Sequence, residues 1–124
     1  MTQHHVIFIE PNTKPRMTRS DKWKKRPCVM RYRHFADNLR TQFAQKGIPT
    51  DFDSIEIEFH FAMPSTWSKK NKLEMDQKPH QNKPDIDNLC KAVFDSLMDD
   101  DSGVYQLTAS KWWTAGTSRI EIYL

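Results

Sequence analysis

The sequence predicts an α+β fold: a single mixed sheet with two packed helices, in the order β-α-β-α-β-β. Three observations carry this. Ser54–Phe61 alternates strictly between apolar and polar residues. Two segments, around 28–46 and 84–98, repeat apolar residues at spacings of three and four. Two apolar runs near the C-terminus are separated by the turn residues Thr114-Ala115-Gly116. At 124 residues the chain fits one domain, 1–124, with one modest core.

The elements follow in order. Val6–Ile9 is a short apolar run and the first strand. Glu10–Arg26 carries Pro11, Pro15 and many cations without any period, and reads as a basic loop. Pro27 opens a helix running from about Cys28 to Lys46, with its stripe at Tyr32, Phe35, Leu39 and Phe43; Gly47 caps it and Pro49 follows. In Ser54–Phe61, Ile55, Ile57, Phe59 and Phe61 face one way while Glu56, Glu58 and His60 face the other. Met63–Lys83 is polar and basic and reads as a long loop. Pro84 opens the second helix, with its stripe at Ile86, Leu89, Cys90, Val93, Phe94, Leu97 and Met98, ending near Asp99–Gly103. Val104–Trp113 and Thr117–Leu124 then read as a closing hairpin.

Bulk composition narrows the class. With 37% hydrophobic and 11% aromatic residues the chain should fold. The net charge is only +3, but the charges are segregated. Lys14, Arg16, Arg19, Lys22, Lys24, Lys25, Arg26, Arg31 and Arg33 are opposed only by Asp21, and Lys69, Lys70, Lys72, Lys78 and Lys83 form a second basic stretch. Such patches steer a polyanion and release counterions on binding it. Acids concentrate in Asp51–Glu58 and Asp85–Asp101. Cys28 and Cys90 lack zinc-ligand spacing, and Cys90 lies on the apolar stripe as a small core residue. Neither His34 nor His60 is assigned to a metal. Trp67 with Lys69, Lys70 and Lys72 reads as a flap that contacts a DNA backbone, its ring wedging or stacking on an unpaired base, whereas Trp112 and Trp113 read as core or interface residues. Met1–His5 has no signal-peptide pattern, and no apolar run approaches the ~20 residues that span a bilayer, so no membrane association and a soluble cytoplasmic protein are expected.

The chemistry is concentrated in the second helix. Its apolar stripe turns Asp87, Lys91 and Asp95, spaced by four, to the opposite side. Asp85 falls at the N-cap or in the first turn. Taken alone, this is an ordinary helix start with an i, i+4 ion pair. Asp99, Asp100 and Asp101 change the reading, because acids beyond a helix C-terminus meet the negative end of the dipole. A bound cation would offset that repulsion. An EF-hand is excluded, since a loop begun at Asp99 would place Val104 where glycine is required. All-oxygen ligands suit a hard ion that takes one or two carboxylates plus waters and substrate phosphates. In a basic chain this points to metal-dependent phosphodiester hydrolysis, with Lys91 beside the scissile phosphate.

Pro84-Asp85-Ile86-Asp87-Asn88-Leu89-Cys90-Lys91-Ala92-Val93-Phe94-Asp95, followed by Asp100-Asp101-Ser102-Gly103-Val104, resembles the core motif of the RusA-type Holliday junction resolvases. The segment Lys14–Arg19 resembles a basic stretch of phage-type members. The resemblance implies a homodimeric endonuclease dependent on Mg2+, with Mn2+ able to substitute, that cuts four-way DNA junctions symmetrically in recombination and repair. It implies Asp85, Asp87 and Asp101 as catalytic acids and metal ligands and Lys91 as the essential lysine. The segment after Asp95 is shorter than in some members, which leaves Asp100 as the alternative to Asp101. The rival reading is a non-catalytic branched-DNA-binding protein that retains the fold.

Overall fold

The computed structural model describes residues 2–124. β1 is His4–Ile7, α1 Pro27–Lys46, β2 Ser54–Ala62, α2 Lys69–Met75, α3 Ile86–Leu97, β3 Gln106–Thr114 and β4 Arg119–Tyr123. The strands form one mixed sheet in the order β1-β4-β2-β3. β4 is antiparallel to both β1 and β2, and β2 is parallel to β3. The α+β fold and the order of strands and long helices agree with the sequence-based expectation.

α1 and α3 pack on each other and on one face of the sheet. Ile57, Phe59, Ile120 and Ile122 from the sheet meet Leu39, Phe43, Leu89 and Val93 from the helices, all fully buried. Each such side chain contributes about 1.5–3 kcal/mol relative to exposure. α1 ends as its glycine predicts. Gly47 is left-handed (φ 65°), its N–H bonds the carbonyl of Ala44 at 3.2 Å, and the Ile48 N–H bonds that of Phe43 at 2.9 Å, a Schellman closure.

Four expectations are corrected. The last two strands are not a hairpin, because β2 lies between them and pairs with both. β2 carries the most completely buried alternating face, Ile55, Ile57 and Phe59, and is best satisfied with neighbours on both edges. The connection 115–118 crosses the end of β2, where the Ser118 hydroxyl oxygen accepts the Ala62 N–H at 2.9 Å. Crossing two strand spacings takes about 10 Å, within the reach of so short a segment at ~3.3–3.6 Å per residue.

The 63–83 stretch is not all loop. Ser68 caps α2 by accepting the Asn71 N–H at 3.1 Å, and no residue of α2 is buried, so no apolar stripe marks it in the sequence. The chain after it lies along β3, with the Gln77 N–H bonding the Trp113 carbonyl and the Trp113 N–H that of Lys78, each at 2.9 Å. β1 begins earlier than expected, at His4, because His4–Ile7 is the stretch that pairs with β4. α3 begins at Ile86 rather than Pro84, since Asp85 is the N-cap in extended backbone (φ −70°, ψ 142°).

Candidate active site

α3 and β3 form the walls of a cleft of about 430 Å³. Its floor is apolar: Ile86, Cys90 and Phe94 from α3, Leu107 and Ala109 from β3. Its polar groups are Asp87, Lys91 and Asp101. Asp87 and Lys91 arrive there because the stripe through Leu89 and Val93 is pinned in the core, which leaves these two residues, four apart, exposed together on the helix. Asp101 arrives from the turn beyond α3, where the Val104 N–H bonds its carbonyl at 3.0 Å.

Asp100 faces elsewhere. Its carboxylate accepts the Ser102 N–H at 2.9 Å, and that bond holds its pKa below the ordinary range. It lines a separate hollow of about 540 Å³ together with Asp51, Asp53 and Asp99. The acids of 51–53 and of 99–100 thus share one hollow while Asp101 alone of its triplet joins Asp87 and Lys91. Asp85 is exposed at the α3 N-cap and is not among the residues lining the cleft. The carboxylates of Asp85, Asp87 and Asp101 do not all lie within 4.8 Å of one another. Among the described residues, the group that meets this span is Glu58, His60 and Glu121, on the other face of the sheet. Two all-oxygen ligands on one cleft still fit a hard ion, which keeps several waters in its shell.

The thiol in the floor is not reactive. Burial, with Asp87 adding, pushes the Cys90 pKa up to about 11, so it stays a thiol at neutral pH.

A groove of about 490 Å³ adjoins the cleft through Lys91, which lines both. Its other lining residues include Lys14 and Arg16 from the basic segment and Asn88 from α3. Lys14 Nζ lies 3.2 Å from Asp95 Oδ2 and 5.7 Å from the centre of the Tyr32 ring. This basic segment is ordered by Asp21, whose side chain is only 4% exposed. Arg26 donates to both carboxylate oxygens at 2.8 and 2.7 Å, the Thr18 N–H donates at 2.7 Å, and Arg33 bonds the Asp21 carbonyl at 2.8 Å. The bonds from Arg26 and then Thr18 hold the Asp21 carboxyl far below the usual carboxylate range. Arg26 is therefore engaged within the protein. Arg19 and Lys22, in a 3-10 turn, and Lys24 and Lys25 are exposed.

Lys69 and Lys70 are exposed on the first turn of α2 and line neither cleft. Trp67 packs on Trp113 with ring centres 4.9 Å apart, and Trp113 packs on His80 at 4.0 Å. Trp113 is a core residue, and Trp112 is half-buried with its indole N–H on Ser110 Oγ at 2.7 Å.

One residue escaped the sequence reading. Lys111 Nζ donates to the carbonyls of Asn82 at 2.6 Å and Pro84 at 2.8 Å, tying the chain immediately before Asp85 onto β3. No local pattern marks Lys111, because its partners lie 27 and 29 residues away.

Among known families, the model for endodeoxyribonuclease RusA matches residues 9–124. A comparison with curated proteins finds no match. With the match covering nearly the whole chain, both clefts included, the protein belongs to the RusA endodeoxyribonuclease family, nucleases that resolve Holliday junctions.

Proposed function

We propose that this protein is a Mg2+-dependent cytoplasmic endonuclease that resolves four-way DNA junctions by paired cuts, with Mn2+ able to replace Mg2+. The observation that carries the reading is the joining, through Lys91, of a carboxylate cleft to a basic groove. Asp87 and Asp101 would hold the ion, and Asp85 at the N-cap would have to turn into the cleft to join them. When bound, the ion supplies water activation and relief of phosphoryl charge. The chain's own residues do the rest. Lys91 sets an ammonium where negative charge develops on the scissile phosphate. Lys14 and Arg16 hold the neighbouring backbone phosphates, and exposed Arg19, Lys22, Lys24, Lys25, Lys69 and Lys70 extend the contact. The Lys14–Asp95 pair sets the groove against α3. Symmetric cuts on two strands call for two such clefts related by a two-fold axis, hence a homodimer.

The test is cleavage of a synthetic four-way junction in Mg2+. The expected result is paired symmetric nicking. Lys91→Ala should lower kcat by on the order of 100–1,000-fold, and Asp87→Asn by at least as much, with junction binding retained. Tight junction binding without nicking by the wild type would select the non-catalytic rival instead, and full activity in Asp87→Asn would sink the assignment of the site.

A further inference from the structure

We propose that Glu58, His60 and Glu121 form a second divalent-cation site, away from the active cleft, selective for a borderline ion such as Zn2+. The ladder creates it. Glu58 and Glu121 are directly paired across β2 and β4, and His60 follows Glu58 by two on the same face. That face lies opposite the one packed against α1 and α3, so this cluster and the Asp87–Asp101 cleft do not share a ligand. The site opens into a hollow of about 340 Å³ that also reaches Gln77 and Arg119 and has room for water ligands.

The three ligand atoms converge on one point. His60 Nε2 lies 3.2 Å from Glu58 Oε1 and 3.1 Å from Glu121 Oε2, and its only hydrogen bond is the long one to Glu58. One ring N–H shared between two carboxylates makes only a long three-centre bond, whereas two-centre charge-assisted bonds close to about 2.7–2.9 Å. Bond lengths of about 2.0–2.2 Å to nitrogen and oxygen in a tetrahedral zinc centre place neighbouring ligand atoms roughly 3.3–3.6 Å apart. The observed separations of 3.2 and 3.1 Å lie just below that spacing, so a small outward shift of the side chains would admit the ion. His60 is 8% exposed, and its Nδ1 is buried with no partner. A buried imidazole with one nitrogen unpaired and the other aimed between two carboxylates is poorly served by the protein alone. Imidazole with carboxylate oxygen suits zinc better than magnesium.

Glu121 is pre-set as an anion. Burial pushes its pKa up, but the bonds from Arg119 and His4 outweigh this and hold it below the ordinary range. Arg119 Nε lies 2.8 Å from Glu121 Oε2, so its charge limits the affinity and excludes weakly held ions. Without an ion the same residues make a network in which His60 and Arg119 face the two glutamates. The experiment separates the two.

The full chain carrying Asp87→Asn and Asp101→Asn, stripped of metal, is titrated with Zn2+ by calorimetry and with Co2+ by visible absorption. One ion per chain is expected, with a rise in Tm and a Co2+ ligand-field spectrum. Glu58→Gln should weaken uptake at least tenfold, and His60→Gln should abolish the spectrum. No stoichiometric uptake by the parent, or uptake unaffected by Glu58→Gln, overturns the site in favour of the ion-free network or of stray surface binding. Glu58 is partly exposed, so its variant keeps the test valid if His60→Gln fails to fold. Junction cleavage by the wild type is measured separately, so failure here leaves the catalytic reading standing.

Discussion

Single cationic residues in this protein divide sharply between lining the groove and holding the fold, and charge alone does not say which. Arg16 and Arg26 both lie in the basic segment, yet Arg16 lines the groove beside Lys91 while Arg26 is locked on Asp21. Asp21→Asn should therefore loosen the whole segment. Trypsin should cut between Arg16 and Arg26 at rates well above wild type, and junction affinity should fall although no cation has been lost. The pH behaviour follows from the sign of the shift. Asp21's folded pKa is depressed, so its contribution is complete above the unfolded value of about 3.9 and is lost only as pH falls through the much lower folded value. The Thr18 amide, which donates to Asp21 at 2.7 Å, should keep its hydrogen-bonded NMR shift at pH 4 and change only in stronger acid. A Thr18 shift that titrates with a midpoint near 4 would contradict this.

At the level of elements, β3 does more than close the sheet. Its inner face supplies Leu107 and Ala109 to the floor of the cleft, and Lys111 anchors the chain leading into α3. Asp85 has no side-chain cap bond of its own, so its position depends on that anchor. Lys111→Met keeps the aliphatic stem and removes the two bonds. If Asp85 holds metal, the variant should lose roughly 10–100-fold in cleavage, the usual effect of losing a group that orients a ligand. The apparent Mg2+ requirement should rise while junction binding stays near wild type. An unchanged Mg2+ dependence would show that Lys111 does not position Asp85. The two helices differ in how visibly they are written. α3 shows a full apolar stripe, whereas α2 buries nothing and is marked only by Ser68 and by its helix-forming residues.

For the whole molecule, charge distribution and core set the two global expectations. Junction binding should weaken steeply with salt, and Arg16→Ala or Lys24→Ala should each reduce the log–log salt slope by about one. Arg26→Ala should instead act through lost order of the segment. Core truncation gives the contrasting case. Phe59 is fully buried on the central β2, and Phe59→Ala should cost about 3–5 kcal/mol in denaturant unfolding. A loss under 1 kcal/mol would mean that β2 is not the centre of the core.

The alternation of Ile55–Phe61 and the stripes of α1 and α3 are local, and local periodicity reports which side of an element is buried. These patterns, with the Asp85–Asp95 motif, were enough to set the α+β class, to put Asp87 and Lys91 on one exposed face and to name the family. Strand order, by contrast, depends on pairing between segments tens of residues apart. Only the folded sheet inserted β2 between β3 and β4, sent Asp101 to Lys91 and Asp100 to a different hollow, and tied Lys111 to the carbonyls of Asn82 and Pro84. The same long-range pairing set Glu121 beside Glu58 and His60, residues the chain keeps more than 60 positions apart. A sequence records the periodic faces of its elements, and the neighbours across those faces come into being when the faces are buried together.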